Sequence, residues 1–162
     1  MRTISGIPVS SGVVVGRVAI IDEDRPRRVV RREIDPADVP AEIERFELAR
    51  RAAIEELNAL YQDAAREMGD DAAKIFLFHV GALSDRAVLG PIRQAVERDR
   101  VCAEFAVSSV IRSLSDRFAN HPDSTFRTKV SDLSDLGTRL IRHLTGRAGS
   151  RPGRFEPGTV VV

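Results

Sequence analysis

From Pro40 onward apolar residues return at alternating spacings of three and four: Ile43, Phe46, Ala53, Leu57, Leu60 and Ala64, with Arg50 in the same register. That is one face of a long helix, and Met68-Gly69 ends it. Pro40 suits the first turn, where Glu42 and Glu44 complement the N-terminal dipole. Asp70 and Asp71 are placed to cap a second helix, whose Ile75, Phe76, His79 and Leu83 share one side. Ser84-Asp85 opens a third helical piece through Val88, Leu89, Ile92 and Val96. Gly90-Pro91 inside it predicts a kink or break, because proline removes a backbone donor. Ala103 to Phe118 repeats the pattern with Val107, Val110, Ile111, Leu114 and Phe118, until Asn120-His121-Pro122-Asp123 stops it. A last helix turns Leu133, Leu136, Leu140, Ile141 and Leu144 inward and ends at Gly146.

The two ends read differently. Ser5-Gly6-Ile7-Pro8 and Ser10-Ser11-Gly12 are turn segments, and the β-branched run from Val13 to Ile21 behind them reads as a strand. Asp22 to Glu33 alternates charges of both signs around Pro26 and reads as a linker, extended in part. Beyond a Gly/Pro/Arg loop from Arg147 to Pro157, Val160-Val161-Val162 opens like another strand, with the earlier Val run as its natural partner. Two strands alone are marginally stable. The pattern is therefore that of a helical body inserted between two strands of a sheet whose remainder lies elsewhere, as expected of a piece of a longer chain. The boundaries expected from this reading are 1–22 for the first strand region, 23–39 for the linker, 40–146 for the helical subdomain and 147–162 for the loop and second strand.

A length of 162 residues is one ordinary domain, able to bury a core without disulfides or metals. Aromatic residues are 5% of the chain, with no Trp, against 30% charged, which disfavours an all-β architecture. The net charge of +1 provides no global field to attract nucleic acid or an anionic membrane. Lys74 and Lys129 are the only lysines among 25 cationic residues, a bias that follows base composition more than chemistry. A single cysteine, Cys102, excludes an internal disulfide and suits a reducing compartment. With neither a signal-like start nor an apolar run long enough for a bilayer, the expectation is a soluble, cytoplasmic protein.

Candidate chemistry is sparse. His79 points toward an apolar face, as a packed and hydrogen-bonded histidine does, with a functional contact as the alternative. His121 reads as an exposed loop residue, and His143 as a complement to the C-terminal dipole of its helix. Asp70-Asp71 read as capping, with one carboxylate left free for an acidic docking patch. Asp132 and Asp135, near Arg139 and Arg142, read as ordinary ion pairing along one helix. The cluster Arg25, Arg27, Arg28, Arg31 and Arg32 is interleaved with Asp22, Glu23, Asp24, Glu33 and Asp35 and lacks an aromatic for stacking, which argues against nucleic acid. No phosphate cradle, dinucleotide fingerprint, catalytic constellation or metal-ligand spacing is present.

Longer stretches carry a resemblance. Ser5-Gly6-Ile7-Pro8-Val9-Ser10-Ser11-Gly12-Val13-Val14-Val15-Gly16-Arg17-Val18 resembles the opening of Enzyme I, the phosphoenolpyruvate–protein phosphotransferases of the bacterial sugar phosphotransferase system. Glu42-Ile43-Glu44-Arg45-Phe46, Ala73-Lys74-Ile75-Phe76 with His79 and Leu83-Ser84-Asp85, Ala103-Glu104-Phe105-Ala106-Val107, and Ser131-Asp132-Leu133-Ser134-Asp135-Leu136-Gly137-Thr138-Arg139-Leu140 follow in that family's order and spacing. The resemblance covers essentially the whole chain.

What it implies is a mainly α fold: two helical hairpins forming a four-helix bundle-like subdomain, inserted between short β-strands of a truncated swivelling phosphohistidine domain. The implied function is docking of the small phosphocarrier HPr, or a divergent carrier of that kind. The phosphohistidine, in a Gly-Gly-x-Thr-Ser-His type segment, and the barrel that binds phosphoenolpyruvate and Mg²⁺ belong to the rest of such an enzyme. This chain alone is then expected to be inactive, with no cofactor of its own, and any homodimer would form through the barrel. The implied partner-binding residues are Asp70, Asp71, His79, Ala82, Val88, Thr125, Phe126 and Lys129. Gly81, Ala82, Arg86, Ala87 and Gly90-Pro91 depart from the family's larger, more acidic pattern. A non-enzymatic helical adaptor that kept the docking bundle is the second reading, and a nucleic-acid binder using the Arg cluster the third.

Overall fold

In a computed structural model the chain is described over residues 15–19, 29–146 and 158–161. The turn segments at 5–12, the two ends of the expected first strand run (13–14 and 20–21), the first part of the linker to residue 28 with the arginines at 25, 27 and 28, the loop at 147–157 and Val162 lie outside the described residues. The chain divides into two units, one of Pro26–Gly149 and one of Met1–Arg25 with Ser150–Val162.

The larger unit is helical. A 3-10 turn at Pro36–Asp38, capped by Asp35 whose Oδ1 accepts the Ala37 amide at 2.9 Å, leads into α1 (Val39–Met68). Thirty residues make α1 roughly 45 Å long. Gly69, at φ +89°, closes it, the Gly69 amide donating to the Ala65 carbonyl at 3.2 Å. α2 (Asp70–Ala82) and α3 (Arg86–Asp99) follow, bent by 40° relative to each other. α4 (Ala103–Ala119), the one-turn α5 (Ser124–Arg127) and α6 (Val130–Leu144) complete the unit. α1 lies mainly against α2, with α3 continuing along it, and α4 lies mainly against α6; α6 also packs on α1 and α3 on α4. The two hairpins share one core, in which Phe46 and Leu57 of α1, Leu83 at the end of α2, Ile92 and Val96 of α3, Val107 of α4, and Leu136 and Leu140 of α6 are fully buried. Each such side chain contributes about 1.5–3 kcal/mol of burial. Before α1, the chain pairs with the α3–α4 connection: the Ile34 amide donates to the Arg100 carbonyl and the Cys102 amide to that of Arg32, each at 2.9 Å.

Three local expectations are corrected, and one short helix is added. Asp70 and Asp71 do not cap α2; Gly69 holds the N-cap position without a side-chain bond, because both carboxylates are drawn to other partners. Ile75 does not point inward but is 40% exposed, since α2 buries the face of Ala73, Phe76, Val80 and Leu83. α3 is not broken at Gly90-Pro91: Ala87 and Pro91 are both exposed, so the carbonyl left without its donor faces water. The stop at Asn120–Asp123 is followed by α5, started by Asp123, whose Oδ1 accepts the Thr125 amide at 2.8 Å.

In the smaller unit β1 (Arg17–Ala19) pairs with β2 (Thr159–Val161) in parallel, with Arg17 opposite Thr159, Val18 opposite Val160 and Ala19 opposite Val161. A parallel pair needs a long crossover, which here contains the helical unit. Gly16 sits where a Cβ would come within 2.1 Å of the Gly158 carbonyl oxygen, and Gly158 itself has φ +87°. No single helix among the described residues is long and apolar enough to cross a membrane.

Candidate docking surface

On α2 the residues Asp71, Ile75, Phe78 and Ala82 follow at spacings of four, three and four, a stripe on the side away from the buried Ala73. Ile75 and Phe78 are 40% and 43% exposed, unusual for side chains of this kind lying next to one another. The α5–α6 junction meets this stripe. Lys129 Nζ lies 4.5 Å from the centroid of the Phe78 ring, a cation–π contact, and pairs with Asp132 at 3.0 Å. One turn before it, Phe126 is exposed and accepts the Lys129 amide on its carbonyl at 3.0 Å. Its ring meets Phe118 edge-on, with centroids 5.2 Å apart, and lies 4.1 Å from His121. His121 is thus half-buried rather than a free loop residue, and its Nδ1 accepts the Asp123 amide at 3.2 Å. Bonds from Thr125 hold the Asp123 carboxyl below its usual range, so the cap of α5 stays ionised.

The residues named from the sequence are placed as follows. Asp70 is exposed and accepts the Tyr61 hydroxyl at 2.5 Å, and Asp71 is exposed and pairs with Lys74 at 2.6 Å. Ala82 is half-buried at the end of the stripe, while Thr125, Phe126 and Lys129 form the α5–α6 side. Val88 does not belong to the surface: it is 7% exposed and part of the core, because α3 turns it inward in register with Ile92 and Val96. His79 is buried beside Phe78, ring centroids 5.9 Å apart, and its Nε2 has no hydrogen-bond partner among the described residues, where a satisfied core histidine was expected. Burial holds its pKa below the usual value, against the opposing charge of Asp132. Ile75 and Phe78 were missed as surface residues; the signal was their spacing from Asp71, on a face opposite the small Ala73.

Two polar clusters set the helices in place. Arg45 donates to both oxygens of Glu42 (3.0 and 2.7 Å), both of Glu104 (2.8 and 2.7 Å) and the Leu144 carbonyl (3.0 Å). Glu42 also accepts the Ala103 amide at 2.6 Å, so it is a buried tie between α1 and α4 rather than only a dipole complement. Burial pushes the Glu42 and Glu104 carboxyls up, and Arg45 more than reverses this, holding both below their usual range. On α1, Glu56 receives Arg139, Arg142 (2.6 Å) and His143 (2.7 Å) of α6. The arginines of α6 therefore pair across helices and not with Asp132 or Asp135, and His143 has a cross-helix partner beyond the helix dipole. Among the described residues no group of three or more His, Cys, Asp or Glu side chains is gathered as a metal site.

Residues 5–129 match the family described as PEP-utilising enzyme, N-terminal, and the chain belongs to that family. Its relatives include the phosphoenolpyruvate-protein phosphotransferases of Bacillus sp. (strain S) and Geobacillus stearothermophilus, each 32% identical over 164 residues that span 99% of this chain. The chain spans 27% of the length of these relatives. Among solved structures, the N-terminal domain of Enzyme 1 - Nitrogen matches with a TM-score of 0.74 at 26% identity, over 96% of this chain and 62% of that one. The NMR solution structure of Enzyme I (nEIt) shares the fold with a TM-score of 0.78 at 24% identity, over 94% of this chain and 61% of that one.

Proposed function

We propose that this chain is the part of a phosphoenolpyruvate–protein phosphotransferase that docks a small HPr-like phosphocarrier, holding it for phosphoryl transfer from a histidine carried elsewhere in the enzyme. The observation that carries the reading is the exposed apolar stripe of α2, Ile75 and Phe78, joined through Lys129 to Phe126. Apolar exposure of this kind, bridged and rimmed by charge, is the build of a protein contact. Asp70 and Asp71 at the head of α2 supply attraction for a basic partner, and the aromatic pair supplies the area removed from water. Catalysis by docking is positional: a carrier held in place turns an encounter into an intramolecular transfer.

On this reading residues 40–146 are the docking subdomain, 1–22 and 147–162 contribute to a swivelling phosphohistidine domain, and 23–39 join them. On the same reading Mg²⁺ is assigned to parts of the full-length enzyme outside this chain. The setting is the cytoplasm.

The test is calorimetric titration with the HPr-like protein of the same organism. Phe126→Ala is expected to weaken binding tenfold or more, mainly by faster dissociation, and Asp70→Lys with Asp71→Lys to slow association and abolish its salt dependence. Val88→Ala is expected to lower stability by about 1–2 kcal/mol with unchanged affinity. Unchanged affinity in both surface variants would remove the proposed face.

A further inference from the structure

Within the docking surface His79 is the polar residue withdrawn from solvent. It is 9% exposed, and its Nε2 is buried without a partner among the described residues. Four charged groups of α6 and its N-cap act on it: Asp132 and Asp135, which favour a positive imidazole, and Lys129 and Arg139, which oppose one. α1, packed along α2, carries Glu56, whose carboxylate takes Arg139. On α2 itself the nearest charged residue in sequence, Lys74, is exposed and paired with Asp71. Asp132 is at present engaged by Lys129, the same ammonium that rests on the exposed ring of Phe78.

We propose that docking at this surface is proton-linked through His79: the neutral imidazole leaves Asp132 to Lys129 and keeps Lys129 seated on Phe78, whereas the imidazolium claims Asp132 and unseats Lys129. The proposal rests on the docking reading above. An imidazolium here is a buried cation with an unpaired donor, so taking up a proton from solvent requires a carboxylate to turn toward Nε2, and Asp132 is the one joined to the surface. A docked partner excludes water from Phe78 and its neighbours and makes the cation costlier still. Binding therefore selects the neutral form, and affinity falls by up to about tenfold per pH unit below the titration of His79 in the free protein.

The same sign is expected for the free protein. Because the folded-state pKa of His79 lies below the unfolded one, the group has no effect on stability above pH ~6.5 and destabilises the fold as pH drops through that value toward the folded pKa.

The experiment measures Kd calorimetrically from pH 8 to 5.5, using a carrier whose own phosphorylatable histidine is replaced so that it does not titrate. Urea denaturation of the free chain is run over the same range. The wild type is expected to lose affinity and stability on acidification, His79→Gln to lose the pH dependence of both, and Asp132→Asn to begin its loss of affinity at lower pH. Equal pH dependence in wild type and His79→Gln, with binding intact, overturns the proton link alone. An unchanged onset in Asp132→Asn overturns the role of that carboxylate. Absence of binding at every pH overturns the docking reading and this proposal with it, and the denaturation curves then report whether the buried histidine titrates as described.

Discussion

Arg45 places all of its donor nitrogens against partners from three helices, and removing it strands two carboxylates that are only slightly exposed. Arg45→Met is expected to cost about 2–4 kcal/mol, at the lower end because a third of the arginine side chain remains in solvent. A urea midpoint unchanged from the wild type would contradict the assignment of Arg45 as the tie between α1, α4 and α6. At this scale the sequence was only partly legible. Phe46, Leu57 and Leu140 declared themselves through period, because burial of apolar groups is what periodicity records. Glu42 and His143 did not, since their partners Ala103 and Glu56 are 61 and 87 residues away and no local pattern encodes that distance. Val88 looked like a surface contact by resemblance, although its register with Ile92 and Val96 already marked it as core.

The five longer helices were read nearly to their ends, because apolar spacing and Gly or Pro stops are local, although Asp70-Asp71 do not cap α2 and α5 was not foreseen. What failed at this scale were inferences that require knowing which side of a helix meets water. Proline at position 91 is tolerated where the freed carbonyl is exposed, and Ile75 was turned inward on period alone while α2 packs by the face of Ala73, Phe76, Val80 and Leu83. The close approach of α4 and α6 has a sequence mark that only the structure makes readable: a Cβ at Gly137 would lie 3.1 Å from Ile111 Cγ2. Gly137→Ala removes a helix-weakening glycine but forces the pair apart, and a net loss of about 1 kcal/mol is expected by chemical denaturation. A gain in stability would mean that Ile111 yields and that the approach is loose.

At the scale of the whole chain, the β-branched runs at the two ends foretold a paired β1 and β2 and the resemblance implied two hairpins and residues on both α2 and the α5–α6 junction, whereas their meeting, Lys129 on Phe78, came into view only with the fold. Those two positions are 51 residues apart and share no motif, so proximity had to come from the fold. The central claim is that this composite face, and no other, receives an HPr-like carrier. The direct measurement is a titration of the isotope-labelled chain with unlabelled carrier, followed by amide and methyl NMR. Shifts and line broadening are expected at Asp71, Ile75, Phe78, Ala82, Phe126 and Lys129, with the outer face of α4 around Arg112 and Asp116 unmoved. Perturbations centred on α1 or on that α4 face, with α2 and α5 silent, would contradict the account.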